Sequence, residues 1–139
     1  ELTKEEADKI AQEQELAQKN KQQSEEQRKK DNSLLATYSS VNEITKLKNF
    51  ELNQINQSIK TQIGNITDLK DKISQSNDIL SSNPNNKKVK ETLQDLQSKL
   101  TTANSILDEN KKLLEDRKQK YQNDEARYVE LLKEMATKK

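Results

Sequence analysis

Asn110, Arg117 and Asp124 recur at intervals of seven in the C-terminal third of a chain of 139 residues. That spacing keeps all three on one face of a supercoiled helix. An amide, a fixed cation and a carboxylate in one row can receive a polar partner, or they can set the register of two paired helices at some cost in stability. We read them as register-setting, with Arg117 reaching Glu51 and Asp124 reaching Lys48. Tyr38, Tyr121 and Tyr128 could stack on bases or sugars, but no basic groove flanks them, and we read them as wide residues filling an apolar seam. Lys87, Lys88 and Lys90 could meet an anionic surface, yet Glu91 and Asp95 follow at once, and three lysines at a turn read as solvation.

The 24 Asp and Glu residues are the remaining groups able to act on a substrate. On a thin helical protein they face water, with no pocket to shift their pKa or exclude solvent, so general acid/base catalysis is not expected. With no His and no Cys, the usual zinc, haem, iron–sulfur and copper ligands are missing, as are the common nucleophile–base pairs. The reading is of a non-enzyme without a cofactor. A net charge of +1 disfavours a nucleic-acid partner. No apolar run exceeds Leu34-Leu35-Ala36, so no transmembrane span is expected. The first residue is Glu1, which suggests a processed mature form or a cut fragment.

The elements that position these groups follow from what the chain lacks. One Gly and one Pro are too few for the turns of a β-rich or doubly wound domain, which leaves long helices with few breaks. From Val89 onward apolar residues recur at four and three: Leu93, Leu100, Leu107, Leu114, Tyr121, Tyr128 and Met135 form one row, and Val89, Leu96, Ala103 and Leu131 belong to the other. An earlier seam runs through Leu52, Ile55, Ile59, Ile66, Leu69, Ile73 and Leu80, with Gln62 and Ser76 at two of its positions. Val41 and Ile44 precede Leu52 and Ile55 by eleven residues, a stutter that locally unwinds a left-handed supercoil. Gly64 lies outside both rows and weakens its helix by roughly 1 kcal/mol relative to Ala.

Between the seams, Ser81-Ser82-Asn83-Pro84-Asn85-Asn86 must reverse or break the helix. Either Asn83 caps the next helix with Pro84 at its first position, or Asn85 or Asn86 is the cap. An antiparallel register pairs Leu80 with Val89, Ile73 with Leu96, Ile66 with Ala103 and Ile55 with Leu114. Continued past the stutter, it pairs Val41 with Tyr128, Tyr38 with Leu131 and Leu34 with Met135. The fold expected is therefore all-α: a polar helical arm over residues 1–36, then a long antiparallel coiled-coil hairpin over 37–139 turning near 82–86. A monomeric, intramolecular hairpin is favoured over a dimeric coiled coil.

Residues 1–33 hold seven basic and nine acidic side chains, and Leu2, Ile10 and Leu16 are their only large apolar residues. Thr3 and Glu6 have capping-box spacing, as do Ser40 and Glu43. The second box starts a helix at about Val41, so Thr37, Tyr38, Ser39 and Ser40 form a candidate kink. The arm is marginal alone, and Ile10, Leu16 and Ala17 are its candidate partner-binding residues, read as lying on one side.

The run Leu-Leu-Ala-Thr-Tyr-x-Ser-x-x-Glu-Ile, from Leu34 to Ile44, resembles a group of largely uncharacterised exported coiled-coil proteins of proteobacteria, over roughly residues 28–135. The resemblance implies a periplasmic or otherwise exported location, although the composition is equally compatible with the cytoplasm. The function expected is a structural or protein-interaction module, an adaptor or spacer in an envelope assembly with one or more protein partners. The alternative is a holdase-like periplasmic chaperone, which would need exposed apolar patches lining a cavity.

Overall fold

The computed structural model describes residues 1–138. Helix accounts for 92% of it, leaving two short connections and the chain ends, and there is no strand among the described residues. The helices are α1 (Lys4–Thr37), α2 (Val41–Ser82) and α3 (Lys87–Thr137). The fold is all-α, with α2 and α3 packed closely as an antiparallel hairpin after the polar helix α1. Lys139, the last residue of the expected hairpin, lies outside the described residues.

The chain divides into two compact units. Thr45–Gln122 forms one, and Glu1–Ile44 with the end of α3 from Asn123 forms the other.

In the unit Thr45–Gln122, coverage follows the two seams. Ile55, Ile66 and Ser76 on α2 are buried, as are Leu96, Ala103 and Tyr121 on α3. The residues filling the intervening steps, Ile59, Gln62, Leu69, Ile73 and Leu80 against Leu93, Leu100, Leu107, Asn110 and Leu114, are half-buried. Two rows at three-four spacing make one narrow apolar stripe on each helix, and pairing the stripes is the only way this sequence removes them from water. At the stutter the row is carried by half-buried Lys48, Glu51 and Leu52. Glu51 accepts a hydrogen bond from the Tyr121 hydroxyl and lies 3.2 Å from Arg117 Nε. An eleven-residue step thus admits charge at the seam because a tyrosine and an arginine reach across to satisfy it.

Ser82 ends α2, and Asn83 N–H still donates to the Ile79 carbonyl at 2.9 Å. Asn86 then caps α3: its side-chain oxygen accepts from Val89 N–H at 3.2 Å, and its carbonyl accepts from Lys90 N–H at 3.1 Å. This decides between the two capping readings. Pro84 sits in the turn and not at the first helical position, because Asn86 can satisfy an orphan N–H of the new helix with its own side chain.

In the other unit, Ile44 is fully buried, and Tyr38, Tyr128 and Leu131 are nearly so. Tyr128 hydroxyl donates to the Tyr38 carbonyl at 3.2 Å, which satisfies a backbone group freed where α1 stops. All three tyrosines are therefore core residues, in keeping with their reading as seam fillers.

Candidate functional site

α1 starts on a complete capping box. Glu6 N–H donates to Thr3 Oγ1 at 3.1 Å and Thr3 N–H donates to the Glu6 carboxylate at 3.4 Å. Glu5 and Glu6 in the first turn suit the positive end of the helix dipole. From there residues 1–30 are all exposed, and α1 has no buried residue along its 34 positions. A helix of this length can persist on propensity and caps, but its stability ordinarily comes from packing.

At its C-terminal end α1 is held by half-buried Leu34 and Leu35 and by a polar anchor. Arg127 on α3 donates from Nε to Asp31 Oδ1 at 2.9 Å and from Nη2 to Asp31 Oδ2 at 2.8 Å, a bidentate pair. Gln27, one turn earlier on α1, adds a bond to Asp31 Oδ1 at 2.9 Å. Arg127 Nη1 meets Glu130 at 2.9 Å and Glu134 at 3.5 Å, so its guanidinium is stretched along α3 and held in one orientation. The Arg127 hydrogen bonds hold the Asp31 carboxyl below the usual carboxylate range, against a smaller opposing effect of burial. The two-toothed geometry is what makes this pair worth more than a typical surface ion pair.

The break between α1 and α2 falls within the expected kink, starting at Tyr38 instead of Thr37 and ending at Ser40. Thr37 remains helical, its hydroxyl donating to the Ser33 carbonyl at 2.7 Å, and Tyr38 takes an extended backbone with φ −118° and ψ 140°. Tyr38 N–H closes the helix on the Leu34 carbonyl at 3.2 Å. Ser40 caps α2 by accepting from Glu43 N–H at 3.1 Å. The return arm of this box is displaced: the Glu43 carboxylate takes the N–H and hydroxyl of Ser39, not the N–H of Ser40. Those bonds lower the Glu43 pKa.

Of the candidate partner-binding residues, Ile10 is 40% and Leu16 58% exposed, and Ala17 is exposed as well. Ile10 and Ala17, seven apart, share one face of α1. Leu16 does not join them, because a neighbouring helical residue is rotated by about 100°, and the three make no single patch. In the seam, Arg117 reaches Glu51 as the spacing suggests, and Asn110 and Asp124 are half-buried. Asn110 borders a polar groove with Gln54, Gln57 and Thr61. Across the seam, Gln62 Nε2 donates to the Ala103 carbonyl at 3.0 Å beside a second groove lined by Leu69 and Ile106.

Sequence reasoning missed the Asp31–Arg127 anchor. Asp31 continues the row Ile10, Ala17, Ser24 at steps of seven and Arg127 immediately precedes the seam residue Tyr128, but neither position marks the two as partners. No group of His, Cys, Asp or Glu able to hold a metal ion occurs among the described residues. No helix there is long and apolar enough to cross a membrane. No protein family, curated protein or solved structure matches this chain.

Proposed function

We propose that this chain is a non-catalytic protein-interaction module, an adaptor or spacer in a bacterial envelope assembly, and that α1 is its contact element. The observation that carries this reading is the contrast within α1: residues 1–30 are uncovered, while Asp31 is clamped by a bidentate arginine. Anchoring one end of a long bare helix holds its remaining length at a defined position, which serves a contact surface and has no use in a seam. Ile10 and Ala17 give that surface a weak apolar row, and a partner laid along it would supply the burial that the helix lacks. The envelope setting is supported by the resemblance of Leu34–Ile44 to exported coiled-coil proteins.

Photoreactive residues placed at Ile10 and at Ala17 in the producing cells test the contact. Discrete adducts from these positions, with none from the exposed α3 position Thr101, are the expected outcome; equal adduct patterns from all three would overturn the reading. Osmotic shock tests the setting, with release of the protein expected and retention with the cytosol counting against it.

A further inference from the structure

Charge along α1 is not mixed but sorted. Its first half and the residues just before it carry Glu1, Glu5, Glu6, Asp8, Glu13 and Glu15 against Lys4 and Lys9. The second half, residues 17–30, carries Lys19, Lys21, Arg28, Lys29 and Lys30 against Glu25 and Glu26. An acidic half followed by a basic half is self-complementary in one arrangement only. Two copies laid antiparallel put each acidic half beside a basic one, whereas two parallel copies put like charge on like.

We propose that the occupant of the uncovered face of α1 is a second copy of this chain, with the two α1 helices paired antiparallel about a two-fold axis near Leu16. The inference rests on the reading of α1 as a contact element and names its partner. A two-fold axis demands a self-complementary surface, and the residues facing across it suit close approach. With the axis there, Ala7 meets Ser24 and Gln14 meets Ala17 of the second copy, so the crowded positions are held by small or flexible side chains. Ile10 meets Lys21, whose methylene stem covers the isoleucine while its ammonium turns toward the acidic half of the other helix. Lys4 comes beside Glu25. Nothing in the chain itself obstructs this face, because residues 1–30 are exposed throughout. The helix is also long enough: residues 4–30 span about 40 Å at 1.5 Å per residue. The apolar content is small, so the association is electrostatic in character and sensitive to salt.

Sedimentation velocity on the full chain from micromolar to near-millimolar concentration tests the pairing. The wild type should form dimers at about 10 mM salt and revert to monomers at about 1 M, where the Debye length falls from about 30 Å to about 3 Å. Glu5→Lys, Glu13→Lys and Glu15→Lys together should abolish dimers, and so should Lys19→Glu, Arg28→Glu and Lys29→Glu together. Mixing the two triple variants should give heterodimers, and all six changes in one chain should restore the homodimer because both halves have exchanged sign. Since none of these six side chains is covered, cooperative thermal unfolding of the hairpin checks that each variant is folded. A wild type monomeric at low salt, dimers that survive either triple variant, or a monomeric sixfold variant would overturn the proposal. If the wild type is monomeric while photoreactive Ile10 and Ala17 capture a different protein in cells, the second copy is rejected and the adaptor reading stands.

Discussion

Between Ile55 and Leu80 every third or fourth side chain of α2 is covered, and the same holds on α3 from Val89 to Tyr121. Over residues 1–30 no side chain is covered. Both regions are helical and rich in polar side chains, so what separates them is the number and spacing of their apolar residues. In the hairpin, leucine and isoleucine return on each turn to one stripe, which has to be withdrawn from water. In α1 the corresponding row is Thr3, Ile10, Ala17, Ser24 and Asp31, one large apolar residue among five. Helical conformation is thus common to both, and only one region derives it from burial.

The contrast can be broken most directly at a covered seam residue. Leu96→Ala should destabilise the hairpin by about 3 kcal/mol in denaturant unfolding, the usual cost of emptying a buried leucine site, whereas Leu16→Ala in α1 should change it by less than about 0.5 kcal/mol. Equal losses at the two positions would mean that α1 is packed as firmly as the seam.

A smaller effect of opposite sign belongs to Gly64. It lies inside α2, and a Cβ built there meets nothing within 4 Å, so Gly64→Ala should raise stability by about 0.5–1 kcal/mol through the reduced freedom of the unfolded chain. A loss on this substitution would reveal a close neighbour on a face taken to be open.

The anchor of α1 can be sharpened with pH. The folded carboxyl of Asp31 has a lowered pKa, so its contribution is present above the ordinary carboxylate range and is lost as pH falls through the lowered value. Wild type should therefore melt above Asp31→Asn at neutral pH, and the gap should narrow progressively as the pH falls below the ordinary carboxylate range. A gap independent of pH would show that the ion pair is not its source. The smallest effect is expected from deleting residues 1–26, which removes only uncovered side chains and leaves Gln27 and Asp31 in place: the unfolding midpoint of the hairpin should stay within the change typical of surface substitutions, about 0.5 kcal/mol.

Much of the hairpin was legible because a period of three and four is a direct statement about which face a helix must hide. The rows through Ile55, Ile66 and Ser76 and through Leu96, Ala103 and Tyr121 follow from spacing alone, and the stutter before Leu52 from its length. The capping boxes were partly legible. Thr3 and Glu6 bond reciprocally, but the Glu43 carboxylate goes to Ser39 because the extended Tyr38 brings that residue's N–H and hydroxyl within reach. The anchor was not read, since a lone Asp and a lone Arg among so many charges carry no mark of their pairing, and their separation of 96 positions is set by the fold.

What the sequence determined by itself was everything carried by local periodicity and by absence: helices throughout, two apolar rows able to pair, a reversal between Ser82 and Lys87, and no cysteine or histidine for metal or nucleophile chemistry. Tertiary structure alone decided which cap starts α3, where α1 ends, and which of the many charges meet. Those choices depend on small energies between polar groups, each worth about 1 kcal/mol and available to several competing partners along the chain. An apolar row has one way to leave water, and so it can be read from spacing. A charge has many ways to be satisfied, and only packing selects among them.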